Sequence, residues 1–128
     1  MSADVFPVHS LRDGAAKAVA AADLDEKTAR TRALYARWKA RAISLRSPLD
    51  LTPPDRPGRP DKPVLVPPTQ VKRRSLHSVS GRIALLHAIA HIELNAVDLA
   101  LDIVARFASE PVPLSFFDGW MQVAFEEA

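Results

Sequence analysis

The sequence predicts an all-α protein, part of a four-helix bundle preceded by a proline-rich crossover. Three observations carry this. Residues 82–107 contain neither proline nor glycine and are strongly apolar, enough for one helix of about 26 residues and about 39 Å. Eight of the 11 prolines fall between positions 48 and 68, a stretch that contributes little to a core. Helix-start signals precede amphipathic runs on either side of it. With 128 residues in all, the chain holds at most one modest core.

Taken in order, residues 11–22 are rich in strong helix formers after Gly14 and predict a short first helix. Asp23 and Glu26 have capping-box spacing, in which each side chain satisfies a free backbone N–H, and open an amphipathic helix over residues 23–46. Leu24, Thr28, Thr31, Leu34, Tyr35, Trp38, Ala42 and Leu45 form its inward stripe, with the aromatic pair as core anchors. Pro48 ends it, because proline disfavours helical geometry in the residue before it.

The crossover follows. Pro57-Gly58 suits a turn, and the spaced prolines favour polyproline-like geometry. Its PxxP spacings resemble SH3 ligands, but Val64, Leu65 and Val66 argue instead for a linker pinned along the bundle. Lys72, Arg73 and Arg74 make a short basic cluster, a weak nucleic-acid signal beside the plain reading of a solvated run. After the long helix, Glu110 to Pro113 forms a rigid corner, and Ser115, with Asp118, is expected to cap a last helix running to the end. The expected organisation is an N-terminal helical segment over 1–46, a linker over 47–79 and the first part of a bundle over 80–128.

Composition narrows the chemistry. The absence of cysteine excludes disulfides, thiolate metal sites and thiol nucleophiles, and suits a cytoplasmic location. No export signal is read at the start, and a membrane span is disfavoured by the polar positions of the long helix. Residues 1–80 carry 15 Lys and Arg against 8 Asp and Glu, whereas residues 81–128 carry 2 against 7, so the two halves attract each other or the basic half meets an anionic partner. With four glycines there is no phosphate-cradling loop, and no interpretable nucleophile triad occurs.

Two glutamates stand out. At 100° per residue, His87, His91, Asn95, Asp98, Asp102 and Arg106 form one polar stripe of the long helix, read as a solvated or interhelical hydrogen-bonding face. Glu93 lies about 200° from His91, among Leu86, Ile89, Ala90, Val97, Ala100 and Val104. A carboxylate on an apolar face is expected to be neutral, paired or metal-bound, since desolvating it alone costs several kcal/mol. In the last helix Glu127 continues the face of Phe116, Trp120, Val123 and Ala124. Inward glutamates from adjacent helices are what a carboxylate-bridged di-iron or di-manganese centre requires, together with Glu-x-x-His pairs that complete each coordination shell. The alternative is that Glu93 bonds an arginine or a backbone group, and that Glu127 is exposed. His87 and His91, four apart, could also share one metal ion.

The blocks PGRPDKPVLVPP, GRIALLHAIAHIELNAVDLALDIVARF and FFDGWMQVAFEEA resemble the ferritin-like family of domain of unknown function 455. The resemblance implies a ferritin-like bundle, distantly similar to a di-iron tRNA hydroxylase, with Glu93 and Glu127 in metal-ligand positions. It also implies further helices and a histidine beyond Glu127, so the chain reads as the N-terminal portion of a family member. The functional expectation is then a di-metal oxidoreductase as the intact parent, using iron or manganese. This chain would be an inactive fragment without bound metal, its partner a second copy or the missing C-terminal helices. The alternative is a structural or interaction protein that forms a dimeric helical bundle without catalysis, bringing Glu93 and Glu127 of both copies together.

Overall fold

The computed structural model describes residues 7–60 and 75–128. It is all-α, with four helices and, among the described residues, no strand, an arrangement consistent with a ferritin-like four-helix bundle. The helices are α1 (Leu11–Ala20), α2 (Leu24–Lys39), α3 (Val79–Phe107) and α4 (Leu114–Glu127). The expectations for Val64–Val66 and for Lys72–Arg74 fall outside the described residues.

Each helix end has a physical cause. Ser10 caps α1 by accepting from the Asp13 N–H, and the N–H groups of Leu11 and Arg12 donate to the carbonyls of Ser44 and Leu45. Those donors have no partner inside the helix, so the chain leaving α2 supplies it. Asp23 caps α2 through the Glu26 N–H at 2.9 Å, one half of the predicted capping box, while the Glu26 carboxylate accepts from Arg30. This helix stops at Lys39, well short of residue 46, because Arg41 takes φ 53°. The Arg41 N–H then bonds to Trp38 O and the Ala42 N–H to Arg37 O, the paired bonds of a left-handed C-terminal cap. Such a cap usually uses glycine. Here the Arg41 guanidinium lies 4.3 Å from the Trp38 ring centre and pairs with Asp118 at 2.8 Å, which offsets the backbone cost.

Ser78 caps α3 through the Gly81 N–H. The start of α4 differs from expectation: Pro113 occupies the cap position with no side-chain bond, and Ser115 lies within the first turn. Asp118 is engaged elsewhere, accepting from Trp38 Nε1 at 2.8 Å and from Arg41.

All four helices share one core. Leu11, Ala15 and Val19 of α1 meet Leu34 and Trp38 of α2, the second half of α3 through Val97, Leu101 and Val104, and Phe117 and Met121 of α4. The inward face of α4 is thus centred on Phe117, Met121 and Ala124, with Phe116 and Trp120 half-buried and Val123 exposed, a rotation from the face the sequence suggests. Tyr35 packs half-buried at the core edge and stacks on Phe125 at 4.6 Å. The described part of the crossover lies against the bundle. Gly58 N–H donates to Val19 O at 2.8 Å, and Arg106 Nη2 donates to Pro54 O at 2.7 Å. A Cβ on Gly58 would collide with the Ala20 carbonyl, so only glycine permits this approach.

Candidate functional site

Apart from Gly81 in its first turn, helix α3 is buried along its second half only. From Val97 onward its inward residues, Val97, Asp98, Ala100, Leu101, Val104 and Ala105, are covered by α1 and α4. Between Arg82 and Asn95 nearly every residue is exposed, and the large aliphatics Leu86 and Ile92 keep 66% and 65% of their surface open. Where the covered half meets the bare half there is a cavity of about 440 Å³. Its walls come from four places: Leu24 and Thr28 at the start of α2, Arg59 and Pro60 of the crossover, His87 to Val97 of α3, and Glu127 with Ala128 at the end of α4.

Behind this cavity lies a buried ionic cluster. Lys27 of α2 has no exposed surface, and its Nζ donates to Asp98 Oδ1 at 2.6 Å, to Gly58 O at 2.8 Å and to Val19 O at 3.2 Å. Burial pushes the Lys27 ammonium below its ordinary pKa, a shift that Asp98 opposes and Arg59 reinforces. Arg59 Nη2 lies 2.8 Å from Asp98 Oδ2, a charge contact without hydrogen-bond alignment, and also donates to Asn95 Oδ1. Its Nη1 is buried with no hydrogen-bond partner among the described residues. Two cations thus share one buried carboxylate, which ties α1, α2, α3 and the crossover together at the cavity's inner end.

The structure brings the two predicted glutamates together: Glu93 and Glu127 line the same cavity. It places them differently from the sequence reading in one respect. Glu93 is exposed, because none of the described helices packs on the face it shares with Leu86 and Ile89. His87 and His91 line the cavity too. A cavity wall takes in a wider arc of a helix than one packed ridge does. The polar stripe is divided by its surroundings. Asp98 is an interhelical partner buried in the core, while Asp102 and Arg106 pair with each other at the surface.

Sequence reasoning missed Lys27 and Arg59. A signal for Lys27 existed: it falls on the same helical face as Thr31, Leu34 and Trp38, all of them buried, so a charge on that face needed a partner. Nothing local marks Arg59, whose role comes from the crossover's path.

Among the described residues no group of three or more His, Cys, Asp or Glu is arranged to hold a metal ion. Two carboxylates on separate helices, without a Glu-x-x-His pair, do not supply the ligands a di-metal centre needs. The described residues do not by themselves fit such a centre.

The fold and cavity define a helical-bundle protein whose longest helix carries carboxylate and imidazole groups to a cavity at its half-covered midpoint. The chain belongs to the family described as protein of unknown function (DUF455), whose sequence profile matches residues 20–128. A protein of Haemophilus influenzae, described as an uncharacterized protein, is 47% identical over 74 residues, covering 54% of this chain and 26% of the relative. The match thus spans about a quarter of that curated relative's length. No solved structure matches the chain. Among the described residues, no helix is long and apolar enough to cross a membrane.

Proposed function

We propose that this chain is an interaction protein: half of a helical bundle that is completed by a second copy, without catalysis of its own. The observation that carries the reading is the bare first half of α3, where Leu85, Leu86, Ile89 and Ile92 are exposed although the inward face of the second half of the same helix is packed. Exposed aliphatics in one contiguous patch favour association, since each one buried contributes about 1.5–3 kcal/mol. Sedimentation equilibrium of the 128-residue chain tests it. Dimer formation with unchanged helix content is expected, and a cooperatively melting monomer at every concentration would overturn it.

A second reading has its own support in Glu93, Glu127, His87 and His91 lining one cavity. In a longer family member, segments outside this chain would add the missing ligands and make a di-iron or di-manganese carboxylate centre, with oxidoreductase chemistry belonging to that assembly. The Haemophilus influenzae relative offers the test. Elemental analysis of that protein, expressed with iron and manganese, is expected to find about two metal ions per chain. Metal-free protein would end this reading.

A further inference from the structure

The bare half of α3 has a register. Arg82, Leu85, Leu86, Ile89, Ile92, Glu93 and Ala96 recur at spacings of three and four, so they form one stripe about 20 Å long on the helix. Leu85, Ile89, Ile92 and Ala96 lie to one side of the arc that enters the core through Val97, Leu101 and Val104, while Arg82, Leu86 and Glu93 continue that arc on the N-terminal half of the helix, ahead of its buried residues, so a partner helix can reach the stripe without displacing α1 or α4. Its aliphatic centre is open, with Leu85 and Ile89 each 44% exposed. Its two ends carry opposite charges. Arg82 makes one long contact, 3.4 Å from its Nε to Ser78 O, and Glu93 has no ion pair or hydrogen bond among the described residues.

We propose that two copies of this chain pair through antiparallel α3 helices, with a twofold axis passing beside residue 87, so that Arg82 of each copy meets Glu93 of the other. The inference rests on the dimeric reading above and specifies its interface. The symmetry follows from the pattern. Turning the stripe end for end about that point lays Leu85 against Ile89 of the second copy, and Arg82 against Ile92 and Glu93. Leu86 sits near the axis and meets its own equivalent. A parallel pairing would instead stack Arg82 on Arg82 and Glu93 on Glu93, placing like charges together at both ends. In the antiparallel arrangement both charge pairs are complementary, and the aliphatic centre is enclosed between them. Glu93 then pairs with Arg82 of the second copy, which removes it from any set of carboxylates gathered on the twofold axis.

A charge-exchange experiment on the full 128-residue chain tests this. The dimer dissociation constant is measured by analytical ultracentrifugation for the native chain, Arg82→Glu, Glu93→Arg and the double variant carrying both. All changed side chains are exposed, and circular dichroism establishes that each variant keeps its helix content. Each single exchange sets two like-charge contacts into the symmetric interface and is expected to weaken the dimer about tenfold or more. The double variant restores both pairs in reverse and is expected to return to within about threefold of the native constant. Dimers that are indifferent to the single exchanges, or that the double exchange fails to rescue, would overturn this register while leaving the dimeric reading standing. A native chain that stays monomeric at every concentration would overturn both.

Discussion

Lys27 Nζ stands 2.6 Å from Asp98 Oδ1 inside the protein, joining α2 to α3 across 71 positions of sequence. Both groups are buried, and Arg59 holds the other carboxylate oxygen with its side chain 19% exposed. Asp98→Ala would leave two cations facing each other, and a buried charge stripped of its partner costs about 3–5 kcal/mol. Urea denaturation should register that loss. Adding Lys27→Met to Asp98→Ala should recover a large part of it, because the unpaired interior charge is then gone. Arg59→Ala should cost less than Asp98→Ala, since the Lys27 to Asp98 bond survives.

Two glycines of this chain should respond in opposite ways. Gly58→Ala would drive a Cβ into the Ala20 carbonyl and lift the crossover from α1, carrying Gly58 O away from Lys27. A loss of about 1–3 kcal/mol is expected. Gly119→Ala has open space around it inside α4 and should gain about 0.5–1 kcal/mol from helix propensity alone. Thermal melts of both variants against the native chain check the pair, and a neutral Gly58→Ala would refute the packing of the crossover.

Asp13 predicts an acid limb of stability. Its burial raises the carboxyl pKa, but Lys17 at 2.8 Å and the N–H groups of Leu51 and His9 outweigh this, so the group lies below its ordinary value of 3.8. A carboxylate with a depressed folded value contributes stability that is present above the unfolded value and is lost as pH falls through the folded one. Asp13→Asn should therefore cost about 1–3 kcal/mol at neutral pH, and the difference from the native chain should shrink below pH 3.8. Urea titrations at stepped pH read this directly. An unchanged difference at low pH would show that the charge is not what holds the site.

For metal, the expectation is a null titration. Anaerobic Fe(II) and Mn(II) added to the 128-residue chain should produce no stoichiometric binding at micromolar concentration, because Glu93 and Glu127 bring no third ligand in a metal-holding arrangement among the described residues. Calorimetry checks it, repeated with Glu93→Ala and His91→Ala. A stoichiometric event abolished by either substitution would establish a site that the ligand set does not foretell.

The legibility of this protein in its sequence divides along physical lines. Local interactions determined what local reading can recover: the Asp23 cap of α2 depends on a residue three positions away, and the uninterrupted α3 on the absence of proline and glycine from 82–107. The joint placement of Glu93 and Glu127 was also within reach, because helical periodicity puts each on a definite face. Tertiary structure decided the rest. Whether an apolar face is a buried one depends on how far the neighbouring helices extend, and α1 and α4 cover α3 only from Val97 onward, so Glu93 is exposed while Asp98 of the polar stripe lies in the core. The early end of α2 at Lys39 rests on Arg41 reaching Asp118, 77 positions away. Burial of Lys27 required the crossover to bring Gly58 O and Arg59 beside Asp98, a long-range convergence that no periodicity along the chain encodes.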